Sequence, residues 1–190
     1  MAQRNKKVWW AVGIGAAAVG AYFLFRKKAQ AADDLPDDPG LDQRREKLMP
    51  AFRAAAKKHS VPLSWLLAIA HRESKFKNVR SKPGASDDRR GGSWGPMQMS
   101  SATAKDLGFK PSDSLADRGA AIVADPATGI DLGAHYVARL IKRFGQDAAK
   151  VAAGYNAGPG AVQRDHIPAS TRDRYVPAVL KLEQKYSSVA

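Results

Sequence analysis

Hydrophobic residues follow two different patterns along this chain. An uninterrupted apolar run of 18 residues extends from Val8 to Phe25. Beyond residue 42, apolar residues instead recur at intervals of three and four, which places them on one face of an α-helix. This spacing predicts helices over 42–59, 62–75, 100–107, 126–144, 147–155 and 170–186. No run of alternating β-branched residues indicates a strand, so we expect an all-α (mainly α) domain.

The N-terminal apolar run predicts a single transmembrane helix. As a helix it extends about 27 Å, close to the thickness of the hydrocarbon core of a bilayer. Trp9 and Trp10 lie at one end and three basic residues flank each end, as in membrane anchors. We therefore expect residues 1–28 to be the anchor, with residues 8–25 in contact with a lipid bilayer. Two alternatives stay open, a signal peptide cleaved near 29–31 and a buried core helix.

Composition separates an acidic linker from a basic domain. Residues 29–41 contain four Asp, two Pro and one Gly, which predicts a solvated tether before a domain at 42–190. The chain has 31 Lys and Arg against 18 Asp and Glu, a net charge of +13. Such a charge suits nucleic acid, an anionic membrane surface or an anionic polymer such as peptidoglycan. We expect no nucleic-acid partner, because no recognition helix, aromatic stacking motif or arginine-rich stripe is present.

Glu73 lies at the end of an apolar helix face. Leu63, Leu66 and Ala70 form a stripe with helical spacing, and Glu73 continues that stripe into the last turn. Loss of water around a carboxylate raises its pKa, and the negative end of the helix dipole acts in the same direction. The pattern therefore predicts a protonated carboxyl group that can donate a proton to a glycosidic oxygen. The alternative is a solvent-exposed Glu73 paired with Lys77.

Several separated motifs resemble those of the soluble lytic transglycosylase (SLT) domain family. They are ESKF at 73–76, GPMQ at 95–98, ATAKDLG at 102–108, GYNAGPGAV at 154–162 and IPASTRDRYVPAVLKL at 167–182. The resemblance covers roughly residues 48–186, with the motifs in the family's order. It implies a lysozyme-like domain that cleaves the β-1,4 bond between N-acetylmuramic acid and N-acetylglucosamine in peptidoglycan without consuming water.

The resemblance also implies a role for each residue of the candidate site. Glu73 is expected to protonate the leaving oxygen and then to accept a proton from the sugar's C6 hydroxyl, while the substrate's N-acetyl group stabilises the cation. Tyr175 matches a late tyrosine that faces the acid, and Ser74 matches a hydroxyl that orients the substrate. The residues that match cleft-lining or glutamate-positioning residues are Met97, Gln98, Tyr155 and Asn156. Taken singly, Ser74 is also explained by a local hydrogen bond, and Met97 and Tyr155 by core packing.

The sequence departs from the family pattern in four places. The loop at 77–93 is longer and more basic, and Pro96, Gly129 and Thr171 stand where leucine, asparagine and glutamate are common. Thr171 weakens any claim of a second acid, and the acids at 87–88 lie in a polar loop where solvated charge is the simpler explanation. We therefore expect one catalytic acid, with no cofactor and no metal. The chain has no cysteine, which excludes thiolate ligands and disulfides.

These observations together predict a peptidoglycan lytic transglycosylase tethered by one helix. Its N-terminus is expected in the cytoplasm and its domain on the periplasmic or cell-wall side, because the substrate lies there. The small size fits local wall penetration or remodelling, as in phage entry or a secretion apparatus, and a membrane-containing virion is an alternative location. Two other functions stay open: a goose-type-lysozyme-like hydrolase that uses water, and a non-catalytic peptidoglycan-binding assembly protein. The oligomeric state is left open.

Overall fold

Helices contain most of the residues that this computed structural model describes, 38–81 and 91–189. The α-helices are α1 Leu41–His59, α2 Leu63–Ser74, α3 Ser101–Asp106, α4 Leu115–Ala124, α5 Pro126–Phe144, α6 Ala148–Ala157, α7 Pro159–Gln163 and α8 Val176–Tyr186. Two strands, β1 Ser93–Trp94 and β2 Met99–Ser100, and a π-helical segment, Thr171–Tyr175, complete the fold. The mainly helical fold expected from the sequence is confirmed. The six predicted helices are present with ends shifted by at most two residues, except that the last begins with the π-helical segment.

The expected membrane anchor at 1–28 lies outside the described residues, as do its bilayer-contacting segment 8–25 and most of the tether. None of the helices within 38–81 and 91–189 combines the length and the apolar character needed to cross a membrane. The division into anchor, tether and domain therefore stays a prediction.

Helix α2 lies at the centre of the hydrophobic core. Its residues from Leu66 to Ala70 are almost completely buried, so the helix is apolar on nearly all sides rather than on one stripe. Helix α8 packs extensively against α2, while α1 packs along α5. Because neighbouring helices enclose α2, the residues at its C-terminal end are held in a fixed position.

Two predicted helix starts are confirmed by their capping hydrogen bonds. The Asp125 carboxylate accepts hydrogen bonds from the backbone N–H groups of Ala127 and Thr128 at the start of α5. The Ser100 hydroxyl accepts one from the N–H of Thr103 at the start of α3. These bonds satisfy donors that the first turn of a helix leaves unpaired.

Helix α4 was not expected from the sequence. The Ser114 side chain accepts a hydrogen bond from the N–H of Asp117 and caps it. Its middle contains Gly119, where an added Cβ would lie 2.0 Å from the Trp94 ring. The glycine that weakens the helix pattern is therefore the residue that lets Trp94 pack against α4.

Four residues form two short strands that no pattern in the sequence indicates. Ser93 pairs with Ser100 and Trp94 with Met99 in an antiparallel ribbon, and the GPMQ motif at 95–98 forms the turn between them. Gly95 and Gln98 both have positive φ, 74° and 49°, which this turn requires. Strands of two residues are too short to produce an alternating pattern, so the sequence carries no periodic signal for them.

Candidate active site

Glu73 lies in the last turn of α2, directly before an abrupt change in chain direction. Lys75 and Phe76 both adopt the left-handed conformation, with φ of 53° and 61°, which is uncommon for two consecutive non-glycine residues. The Phe76 side chain is buried and packs edge-on against Phe52 and Tyr186. This packing fixes the turn, and the turn ends the helix next to the candidate acid.

Burial raises the pKa of Glu73 from its ordinary value of 4.5 to about 7, against the lowering effects of a hydrogen bond from Tyr175 and the charge of Arg72. Although the residue as a whole is partly exposed, its carboxyl group is largely removed from water. The predicted rise in pKa through desolvation is confirmed. The alternative pairing with Lys77 is wrong, because the Lys77 ammonium lies 3.6 Å from a carboxylate oxygen of Asp38.

Tyr175 ends the π-helical segment and contacts the acid directly. Its hydroxyl donates a hydrogen bond to Glu73 Oε1 at 2.5 Å. Burial, followed by the nearby Glu73 charge, raises the pKa of the Tyr175 phenol well above its ordinary value, so the phenol stays a donor. Within 38–81 and 91–189, no group donates a hydrogen bond to Oε2, which leaves that oxygen for a substrate.

Arg72 places a second group beside this pair. Its guanidinium lies 5.5 Å from the centre of the Tyr175 ring, within the range of a cation–π contact. Its Nε atom is buried and has no hydrogen-bond partner among the described residues. Sequence reasoning did not single out Arg72, because an arginine in a helix is usually a solvated charge.

A cavity of about 360 Å³ opens in front of Glu73. This volume lies in the usual range for small-molecule sites. Its described lining residues are Glu73, Ser93, Gln98, Met99, Ser100, Thr103, Tyr136, Tyr155, Asn156, Ala157 and Gly158. Glu73 is the single acidic residue in that set. The other acids that the sequence offered, at 87–88, lie outside the described residues.

The residues of the GPMQ turn and Ser74 hold the cavity wall in place. Gln98 lines the cavity, and its side-chain nitrogen donates hydrogen bonds to the carbonyls of Val79 and Gly95 at 3.0 and 2.9 Å. The Ser74 hydroxyl donates to the Pro96 carbonyl at 2.6 Å, which ties the end of α2 to the turn. The same hydroxyl lies 3.3 Å from the Ala70 carbonyl one turn earlier, which is the local hydrogen bond that the sequence allowed. Orientation of substrate by Ser74 stays a prediction.

Met97 differs from the other predicted cleft residues. Its side chain is completely buried in the core and is not part of the cavity lining. This agrees with the alternative that Met97 is a core-packing residue. Its backbone carbonyl accepts a hydrogen bond from the Tyr155 hydroxyl at 2.8 Å. Met97 therefore contributes its carbonyl to positioning Tyr155, which does line the cavity.

Asn156 lies on the cavity side of α6 and is oriented from the π-helical segment. The buried Thr171 hydroxyl donates to Asn156 Oδ1 at 2.6 Å. This bond leaves the side-chain N–H groups of Asn156 free to donate toward a ligand. Thr171, at a position where the family often has glutamate, thus acts as a donor to a neighbouring amide.

Tyr136 is a cavity residue that the sequence analysis missed. Its hydroxyl donates to the Gly154 carbonyl at 3.3 Å, and its ring lies 5.4 Å from that of Tyr155. It lies on α5, whose apolar residues recur with the spacing of a helix packed against a core. It lies four residues after Leu132 and four before Leu140, both buried, so helical spacing groups it with the core residues and gives no signal for a cavity residue. The other missed lining residues are Ser93, Met99, Ser100, Thr103, Ala157 and Gly158.

Comparison with known proteins places this arrangement in a family. The model of the transglycosylase SLT domain matches residues 50–176. The chain belongs to the transglycosylase SLT domain family. Soluble lytic murein transglycosylase of Escherichia coli K12 is 28% identical over 71% of this chain, and the peptidoglycan transglycosylase gp16 of Escherichia phage T7 is 30% identical over 64% of it. The aligned SLT region spans only 22% and 8% of those two proteins, respectively.

Solved structures show the same fold for the SLT domain. An inactive mutant of the lytic transglycosylase Slt from Pseudomonas aeruginosa matches 92% of this chain with a TM-score of 0.62 and 24% identity. The soluble lytic transglycosylase SLT70 from E. coli matches 89% with a TM-score of 0.61 and 23% identity. Each match covers 29% of the larger protein. The lysozyme-like SLT fold expected for this chain is therefore confirmed.

Proposed function

We propose that this protein is a peptidoglycan lytic transglycosylase that uses Glu73 as its only catalytic acid and base. The observation that carries the proposal is the buried Glu73 carboxyl, with a pKa of about 7 and a hydrogen bond from Tyr175, in the wall of an open cavity. The names of its relatives, which are murein and peptidoglycan transglycosylases, support this choice of substrate.

The proposed reaction balances through two proton transfers, one from Glu73 and one back to it from the substrate. Glu73 donates its proton to the glycosidic oxygen, and the bond from C1 of N-acetylmuramic acid to that oxygen breaks. The substrate's N-acetyl oxygen stabilises the positive charge at C1. The Glu73 carboxylate then accepts the proton of the C6 hydroxyl, while O6 bonds to C1 and closes a 1,6-anhydro ring. A group with a pKa near neutrality is suited to both transfers.

The single acid in the cavity lining favours this reaction over a two-carboxylate hydrolysis. In most glycosidases, a second carboxylate acts as nucleophile or activates water. Among the described lining residues, none except Glu73 is acidic. The side-chain N–H groups of Asn156 as donors, and the side-chain oxygen of Gln98 as an acceptor, are suited to binding the hydroxyl and acetamido groups of sugars.

We further propose that residues 1–28 anchor the enzyme in a membrane, with the SLT domain facing the periplasm or cell wall. The basis is the sequence pattern of residues 8–25 and the location of peptidoglycan. A role in local wall penetration, as in phage entry or a secretion apparatus, belongs to the same proposal. Flotation of the full chain with lipid vesicles tests the anchor. Recovery of the chain in the unbound fraction would contradict it.

Digestion of purified sacculi tests the proposed chemistry. The full chain in detergent is incubated with sacculi, and mass spectrometry identifies the terminal sugars. We expect 1,6-anhydro-muramic acid products from the wild-type chain. We expect none from Glu73→Gln, which keeps the shape of the side chain but whose amide acts neither as an acid nor as a base.

The result separates the three candidate functions. Reducing muramic acid ends without anhydro products would identify a hydrolase that uses water. If neither chain releases sugar while both bind sacculi equally, the non-catalytic binding function is correct. Glu46→Gln, the same replacement at an exposed acid of α1, is the matched control and is expected to digest sacculi like the wild type.

A further inference from the structure

A second, smaller cavity lies beside the candidate active site. Its volume is about 180 Å³, and it shares Thr103 and Tyr136 as lining residues with the cavity that contains Glu73. Helix α5 supplies Tyr136 to both cavities and Arg139 and Arg143 to the second one. A ligand that extends past Tyr136 from the first cavity therefore enters a basic one.

The charged groups of the second cavity are two guanidinium groups and one carboxylate. Arg139 and Arg143 are exposed, one turn apart on α5, and Asp106 lies at the end of α3. Arg139 donates to the Asp106 backbone carbonyl at 3.3 Å, and Arg143 donates to Gln163 Oε1 at 2.6 Å. Among the residues described, neither arginine forms an ion pair with a carboxylate. Each guanidinium group therefore donates to a neutral acceptor and has further N–H groups that can donate to a ligand.

We propose that this cavity binds the stem peptide of peptidoglycan, an inference that rests on the proposed function. A stem peptide carries free carboxylates, and a diamino acid within it adds an ammonium group. The planar fork of arginine matches the geometry of a carboxylate and binds it with two parallel hydrogen bonds. The Asp106 carboxylate is the matching partner for an ammonium group. The cavity therefore presents the charges that a stem peptide complements.

The position of the cavity fits the chemistry of the glycan strand. The stem peptide is attached to the lactyl group of N-acetylmuramic acid, the sugar whose C1 reacts at Glu73. A strand bound in the first cavity therefore brings at least one stem peptide close to the reacting bond. Because Tyr136 borders both cavities, the second cavity is the adjacent polar space that such a peptide reaches.

Two substrates that differ only in the stem peptide test the proposal. Glycan strands with stems, and the same strands after an amidase has removed them, are digested by the full chain in detergent. For Arg139→Gln/Arg143→Gln, we expect about a tenfold loss in kcat/KM on stem-bearing strands and an unchanged kcat/KM on bare strands. Lys142→Gln removes an exposed charge of the same helix outside the cavity and is expected to behave like the wild type. An equal loss on both substrates, or no loss on either, overturns the proposal.

A binding measurement separates this inference from the proposed function. A synthetic stem tetrapeptide is titrated into the full chain, and binding is followed by NMR chemical shifts. We expect binding to the wild type and to Lys142→Gln, and at least tenfold weaker binding to the double arginine variant. If the wild type cleaves no glycan but binds the peptide through the arginines, the proposed reaction fails and the peptide site stands. If the wild type does not bind the peptide, the peptide site fails whatever the enzyme does to glycan.

Discussion

Replacing the Glu73 carboxyl by an amide tests whether the fold itself holds this group protonated. In Glu73→Gln the side chain keeps its shape and an oxygen that can accept the Tyr175 hydrogen bond, but it no longer titrates. The unfolded chain releases the proton near the ordinary pKa of 4.5, whereas the folded chain retains it up to a pKa of about 7. The wild type is therefore expected to lose stability relative to the variant as the pH rises between these values.

The size of the effect follows from the two pKa values. Since each pKa unit corresponds to about 1.4 kcal/mol, the difference between 4.5 and about 7 amounts to about 3 kcal/mol. The folded-state pKa is the raised one, so this contribution is fully present below 4.5 and is lost as the pH rises through about 7. A domain of ordinary stability has about 5–15 kcal/mol in total, so the loss is measurable.

Urea denaturation of both chains at about pH 4 and about pH 8 measures this difference. We expect the free energy of unfolding of Glu73→Gln, relative to the wild type, to rise by about 3 kcal/mol between the two conditions. Glu46→Gln serves as the control for amide replacement at an exposed site. A difference between wild type and Glu73→Gln that is the same at both pH values would refute the claim that burial holds Glu73 protonated.

Two further predictions concern the residues around the acid and the helix that the sequence did not reveal. Tyr175→Phe removes a donor to the Glu73 carboxylate, so the pKa of Glu73 should rise further and the alkaline limb of the rate profile should move up by about one pH unit, with lower kcat. If the alkaline limb of the rate profile stays in place or moves to lower pH, the Tyr175 hydrogen bond does not stabilise the Glu73 carboxylate. Gly119→Ala should lower the free energy of unfolding by about 1–3 kcal/mol, because the new methyl group overlaps the Trp94 ring. In denaturation experiments the exposed neighbour variant Ala120→Ser is the control, and equal stability of the two variants would contradict the packing argument.

The sequence predicts those helices that show a periodic apolar stripe or begin with a recognisable capping residue. Helix α5 shows a long apolar stripe and begins with Asp125 and Pro126, so its ends are predicted to the residue. Helix α4 also has a capping serine, Ser114, but Gly119 within it makes the helical pattern ambiguous. Only the contact with Trp94, which is distant in sequence, explains that glycine. A local pattern cannot report a constraint that arises from a distant side chain.

The site was predictable to the extent that motifs mark it. Glu73, Gln98, Tyr155, Asn156 and Tyr175 were all chosen from the sequence, and the structure brings them around one cavity or its acid. Which part of each residue contributes to the site was not predictable. Whether a residue contributes its side chain or its backbone carbonyl, as Met97 does, depends on the turn in which it lies.

In the proposed reaction, the geometry around Glu73 meets two opposed demands on a single carboxyl group. An acid must hold its proton until the glycosidic oxygen takes it, and a base must be stable enough as a carboxylate to receive a proton afterwards. Burial at the end of α2 favours the protonated form, while the Tyr175 hydrogen bond and the Arg72 charge favour the carboxylate. Either influence alone would favour one step at the expense of the other, and their balance leaves the pKa at about 7. In the proposed reaction the π-helical segment therefore takes part in the chemistry, because it positions the phenol whose hydrogen bond opposes the effect of burial.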